Sequence, residues 1–123
     1  MSVLHVTVAE PLTASLARAG STMQALQRGE AAATYEGIGF EDMAQMRAVF
    51  TPQRWSLIAT LRATGPLSVA ELARRLGRDY KNVHTDVAAL AERRAVERAA
   101  DGRVSVPWSE IIVDLKLPQE VAA

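Results

Sequence analysis

One part of the sequence limits the fold more than any other: a hairpin signal follows directly after three amphipathic helical segments. Residues 96–99 and 103–106 are β-prone, and Ala100-Asp101-Gly102 separates them. Asp-Gly between such runs is a strong hairpin signal, because both residues accept the backbone conformations of a tight turn. An arbitrary helical bundle has no reason to place a hairpin at this point. The pattern therefore predicts three helices followed by a small antiparallel sheet.

The first two helices have recognisable boundaries. Thr51 before Pro52 is typical of a helix N-terminus, and Thr64-Gly65-Pro66 stops the segment that follows. Ser68 and Glu71 have the spacing of a capping box, which predicts the start of a second, short helix that ends at the next glycine.

The third helix has one apolar side and one polar side. Asp79 can cap it, and Val83, Val87 and Leu90 recur at the i, i+4, i+7 spacing of a buried stripe. We expect the stripe to anchor the helix on the core. The polar side chains available on the other side are those of Arg78, Tyr80, Lys81, Asn82, His84 and Thr85.

Three helices, a tight turn between the second and third, and a hairpin form the order of a winged helix-turn-helix. In that fold the third helix enters the major groove of DNA, which is about 12 Å wide and accepts one helix. We predict an α+β fold with a winged helix-turn-helix over residues 51–117. A strand-helix-strand-helix extension over residues 1–50 precedes it, and residues 118–123 form a tail.

The extension is predicted from two periodicities. Residues 3–9 alternate as a strand does, residues 12–29 carry a helical stripe, and residues 34–40 suit a second strand before a short helix. Residues 111–117 alternate again, and pairing them with residues 3–9, within one chain or across a dimer, would satisfy both strands. The apolar positions that we assign to dimerisation are Leu4, Val6, Leu12, Leu16, Met23 and Leu26.

Charge is segregated along a chain whose formal net charge is zero. Residues 45–100 hold ten basic and five acidic side chains. Such a basic segment is either a polyanion-binding surface or a set of solvated helix faces. The chain has no cysteine, no basic N-terminal run and no apolar stretch long enough to cross a membrane, so we expect a cytoplasmic protein.

Residues 67–84, together with Asp86-Val87 and Leu90, resemble a family of small bacterial and archaeal DNA-binding proteins related to MarR-type winged helices. Residues 51–55 and the segments Asp101-Gly102-Arg103 and Pro107-Trp108 extend the resemblance to nearly the whole chain. It implies an antitoxin-type transcriptional regulator, often encoded beside a small toxin that would be its protein partner.

The chain departs from the family at Glu92-Arg93-Arg94-Ala95, where the family tends to have a glycine before the hairpin. A left-handed cap at this point would have to be formed by a non-glycine residue, at a cost of about 1 kcal/mol or more.

We expect a homodimer that binds double-stranded DNA in a sequence-specific manner. Arg74, Arg75 and Arg103 are assigned to phosphates, and Arg78, Lys81, Asn82, His84 and Thr85 are the base-reading candidates. Ser68 and Tyr80 complete the predicted interface. The alternative is a winged-helix adaptor that binds proteins without DNA.

No enzymatic function, metal or cofactor is predicted. His84 and Asp86 are two residues apart, and such side chains point about 200° away from each other on a helix. Gly37-Ile38-Gly39 lacks the third glycine of a phosphate loop, and acidic residues follow it. The sequence therefore favours binding over catalysis.

Overall fold

A computed structural model describes residues 2–8 and 36–115. Within them lie β1 (Val3–Val8), β2 (Glu36–Phe40), α1 (Met43–Val49), α2 (Pro52–Thr64), α3 (Val69–Leu76), α4 (Tyr80–Glu92), β3 (Glu97–Arg98), β4 (Val104–Ser105) and β5 (Glu110–Leu115). This mixture of helices and small sheets is compatible with the predicted α+β class. The predicted helix over residues 12–29, and with it Leu12, Leu16, Met23 and Leu26, lies outside the described residues.

The chain forms two compact units. The first contains Ser2 and residues 47–110, and the second contains residues 3–8, 36–46 and 111–115 of the described part. Most of β5 belongs to the second unit, in which its strand partner is β1. None of the helices described is long and apolar enough to cross a membrane.

The second unit is built on a three-stranded sheet in the order β2-β1-β5. Strands β1 and β2 are parallel, with Val6 opposite Ile38. The predicted pairing of the first and last strands therefore occurs within one chain. Leu4 and Val6, which we assigned to dimerisation, are buried in this chain's own core, with 2% and 0% of their surface exposed. This burial accounts for their apolar character without a second copy.

Strand β5 lies at an edge of this sheet. The alternation of its sequence predicted a strand, and in that strand Val113 and Leu115 are both exposed, as is Ile112. Period-two alternation thus predicted the strand correctly and left the burial of its side chains undetermined. The segment Gly37-Ile38-Gly39 lies in β2 and forms no phosphate loop.

The core of the first unit is formed by α2, α3, α4 and the hairpin strands. The buried stripe of α4 is the predicted one, since Val83, Val87 and Leu90 have no exposed surface. Trp55 stacks on the buried Phe50 ring at a centroid distance of 4.6 Å. The remaining buried residues of this core are Leu57, Ile58, Leu61, Leu67, Leu72, Ala73, Ala95, Val96 and Val104.

The helix caps follow the sequence closely. The Thr51 hydroxyl accepts a hydrogen bond from the backbone of Arg54 at 3.2 Å, and both bonds of the Ser68–Glu71 capping box are present. Gly77 ends α3 in the left-handed conformation, with φ 63°. Asp79 occupies the N-cap position of α4, but its carboxylate accepts no capping hydrogen bond, which differs from the prediction.

The hairpin has the predicted three-residue loop. Ala99 donates to the carbonyl of Arg103 at 2.9 Å, and Gly102 has φ 86°, as a left-handed residue after a tight turn requires. Leu67 and Val104 exchange backbone hydrogen bonds of 3.1 and 2.8 Å, so the segment before α3 forms a bridge to β4. This bridge attaches the hairpin to the N-terminal end of α3.

Arg94 links α4 to the hairpin and has φ 64°. The amide of Arg94 donates to Ala91 and the amide of Ala95 to Leu90, both at 3.0 Å, which are the two bonds of a Schellman motif. The Trp108 indole donates to the Arg94 carbonyl at 3.0 Å. The expectation that a non-glycine residue takes the left-handed position is therefore confirmed.

Candidate nucleic-acid interface

Helix α4 presents opposite faces to the core and to solvent. Its apolar stripe is completely buried, whereas Lys81, Asn82, His84 and Thr85 are exposed. Tyr80 at its first position is 53% exposed. The turn between α3 and α4 comprises only residues 77–79, so the C-terminal end of α3 lies beside the start of this polar face.

Two contacts organise the exposed face. The rings of Tyr80 and His84, one turn apart, are tilted with centroids 6.0 Å apart. The Thr85 hydroxyl donates to the carbonyl of Lys81 at 3.0 Å, which leaves its oxygen able to accept a hydrogen bond from a ligand. The face therefore offers cationic, amide, hydroxyl and aromatic groups along about two helical turns.

The candidate phosphate-binding arginines lie on α3, which precedes this helix in the chain, and on the hairpin, which follows it. Arg74 and Arg75 are exposed on the last turn of α3. Arg103, on the hairpin, is also exposed; its backbone amide donates to Asp101 at 3.0 Å, and its Nε lies 3.8 Å from the same carboxylate. This exposed pair contributes little to stability, so a phosphate could replace the aspartate.

The pKa of Glu71 reflects the positive charges of two of these arginines. Its pKa is lowered chiefly by hydrogen bonds from Ser68 and further by the positive charges of Arg103 and Arg74. The hairpin and the end of α3 thus act on one carboxylate, as expected from the Leu67–Val104 bridge. The Ser68 hydroxyl, which we included in the predicted interface, is engaged in the cap.

Arg78 differs from the other predicted base-reading residues because its guanidinium faces Asp86. Its Nη2 lies 2.7 Å from Asp86 Oδ2, in an ion pair without the alignment of a hydrogen bond. Arg54 approaches the other oxygen, Oδ1, at 3.1 Å. No local spacing in the sequence predicts the Arg54–Asp86 contact, since 32 residues separate them.

A polar cleft of about 430 Å³ lies beside this ion pair. Its lining residues are Gln53, Arg78, Asp79, Asn82, Thr85 and Asp86. Across residues 2–8 and 36–115, no group of three or more histidine, aspartate or glutamate side chains is placed to hold a metal ion. The arrangement has the chemistry of a polar binding surface.

A protein-family model, HVO_A0114, matches residues 49–113, which is more than half of the chain. The chain belongs to the HVO_A0114 family. The matched range extends from the last residue of α1 into β5, so it contains α2, α3, α4 and the hairpin. Neither the curated proteins nor the solved structures yield a significant match.

Proposed function

We propose that this protein is a sequence-specific DNA-binding transcriptional regulator with a winged helix-turn-helix. The observation that carries the proposal is the two-faced α4, with a completely buried apolar stripe and an exposed polar face. A recognition helix needs this division, because one side must be held rigidly while the other contacts base edges. In this proposal Lys81, Asn82, His84 and Thr85 read bases.

The order and attachment of the neighbouring elements support the same function. The hairpin follows α4 directly and pairs with the segment before α3, which gives the element order of a winged helix. Arg103 on the hairpin and Arg74 and Arg75 on α3 are exposed cations on the elements that follow and precede α4 in the chain. Exposed cations on elements next to a recognition helix suit contacts with the phosphate backbone.

The biological setting that we propose rests on the sequence resemblance. In that setting the protein is a cytoplasmic homodimer and an autoregulating antitoxin, whose cognate toxin is its protein partner. A homodimer would read two half-sites about 34 Å apart, one turn of DNA, and would favour a palindromic operator.

Selection of bound duplexes from a random pool, followed by fluorescence anisotropy over a salt series, tests the proposal. Neutralising about five to eight phosphates per dimer gives a slope of log affinity against log salt of about −5 to −7. We expect an enriched sequence motif and a slope in this range. A flat salt response would reject DNA binding and favour the protein-binding adaptor.

Single substitutions then assign roles within the surface. Lys81→Ala should cost about 1–3 kcal/mol on the selected duplex and much less on a scrambled one if the side chain reads a base. Arg93→Ala removes the same charge at the other end of α4 and serves as the matched control. An equal loss on all duplexes would assign Lys81 to the phosphate backbone.

A further inference from the structure

Asp86 connects elements that are distant in the chain. It lies on α4, and its side chain is only 13% exposed. One carboxylate oxygen pairs with Arg54 in the first turn of α2, and the other pairs with Arg78 in the turn between α3 and α4. A single carboxylate thus joins the recognition helix of the proposed function to α2 and to the turn that follows α3.

Arg54 extends this connection. Its Nη1 donates to the carbonyl of Val49 at 2.8 Å and to that of Ala48 at 3.5 Å, at the C-terminal end of α1. These carbonyls are groups that the helix itself leaves unpaired, so the cation satisfies them. The chain of contacts therefore runs from the end of α1 through Arg54 and Asp86 to Arg78.

The network borders the polar face of α4. Asn82 is one turn before Asp86 on the helix, Thr85 is its neighbour, and both line the cleft beside the ion pair. Arg78 Nη1 is buried and has no hydrogen-bond partner among the described residues. The guanidinium of Arg78 is thus held in the protein by its charge partner, at the border of the surface where bases would be read.

We propose that Asp86 is a positioning residue for DNA recognition. By holding Arg54 and Arg78 it sets the rotation of α4 about its axis, and with it the placement of Asn82 and Thr85. It also keeps the Arg78 cation from binding phosphates without regard to sequence. The inference rests on the proposed function and gives Asp86 a specific part in it: Asp86 supports discrimination between sequences and opposes non-specific affinity.

Asp86→Asn tests this, because the amide preserves the shape of the side chain and removes its charge. We expect affinity for the selected duplex to fall about tenfold, the discrimination that one well-aligned base contact contributes. Affinity for a scrambled duplex should stay equal or rise, since two cations lose their partner. A purely structural defect would lower both affinities together through a smaller folded fraction.

Asp79→Asn is the matched control. Asp79 borders the same cleft and carries the same charge, but it is exposed and makes no capping bond, and asparagine suits an N-cap equally well. This variant should raise affinity for both duplexes in parallel. If Asp86→Asn also changes both affinities in parallel, in either direction, the positioning role is overturned while DNA binding stands.

Arg54→Gln provides a second route should Asp86→Asn fail to fold by circular dichroism. It removes the anchor on α2, a residue outside the proposed base-reading set, and should again lower affinity for the selected duplex more than for the scrambled one. Equal losses on both duplexes would overturn the inference. Salt-independent or absent binding by the unaltered protein would instead reject the proposed function, and the inference with it.

Discussion

The left-handed backbone conformation of Arg94, between α4 and the hairpin, predicts that glycine is more stable than alanine at this position. Arg94 has φ 64°, a conformation that costs a residue with a Cβ roughly 1–2 kcal/mol and costs glycine nothing. Glycine loses about 0.5–1 kcal/mol more backbone entropy on folding than alanine does. Comparison of Arg94→Gly with Arg94→Ala removes the side chain in both variants. The glycine variant should be more stable by about 0.5–1 kcal/mol.

The adjacent Arg93 is the control, because its φ is −91° and a side chain is unstrained there. At this position glycine should be less stable than alanine by about 0.5–1 kcal/mol. The difference between the two positions, about 1–2 kcal/mol, isolates the strain of the left-handed conformation.

Urea denaturation followed by circular dichroism at 222 nm measures all four variants, and a shift in midpoint at constant slope reports stability. About 1 kcal/mol corresponds to a change in Tm of roughly 3–6 °C for a chain of this size. If glycine destabilises both positions equally, the cap is not left-handed in solution and the reasoning fails.

Three further predictions concern the described part of the chain. Ser68→Ala should cost about 1 kcal/mol at neutral pH, by loss of the α3 cap. Because the pKa of Glu71 is lowered in the folded protein, its carboxylate contributes stability above its ordinary pKa, and this stability is lost as pH falls through the pKa of the folded state. Ser68→Ala should therefore also reduce the loss of stability on acidification. An unchanged pH dependence of stability would contradict this. Leu90→Ala should cost about 2–5 kcal/mol in urea denaturation, whereas Leu115→Ala, at an exposed position, should cost much less. Trp108→Phe should cost about 0.5–1.5 kcal/mol, because it removes the hydrogen bond from the indole to the Arg94 carbonyl. A Tm equal to that of the unaltered protein would show that this hydrogen bond is absent in solution.

Features that depend on neighbouring residues were predictable from sequence. The Thr51 cap, the Ser68–Glu71 capping box and the turn at Gly102 all occur where their patterns place them. Each forms within about four residues, so the residue types and their spacing contain most of the necessary information. The left-handed cap at a non-glycine residue was expected from the family resemblance, because the family tends to have a glycine at this point and this chain has none.

The buried stripe of α4 was predictable because its period equals that of a helix. The same reasoning was less successful for β5, where alternation predicts a strand but cannot show whether another element covers it. Val113 and Leu115 are exposed on β5, which lies at the edge of its sheet. Position in a sheet depends on strand pairing across the chain, which periodicity does not encode.

The ion-pair partners of the charged residues beside the candidate interface depended most on long-range packing. Arg78 and Lys81 are both cations near the start of α4, yet Lys81 is exposed and Arg78 is paired with Asp86. The carboxylate is reached by Arg54 only because α2 packs beside α4, across 32 residues of sequence. Sequence patterns thus predicted the helices, their caps and the buried face of α4, which depend on neighbouring residues. The partners of each charge followed from the packing of distant helices, because an ion pair requires two side chains to meet in space.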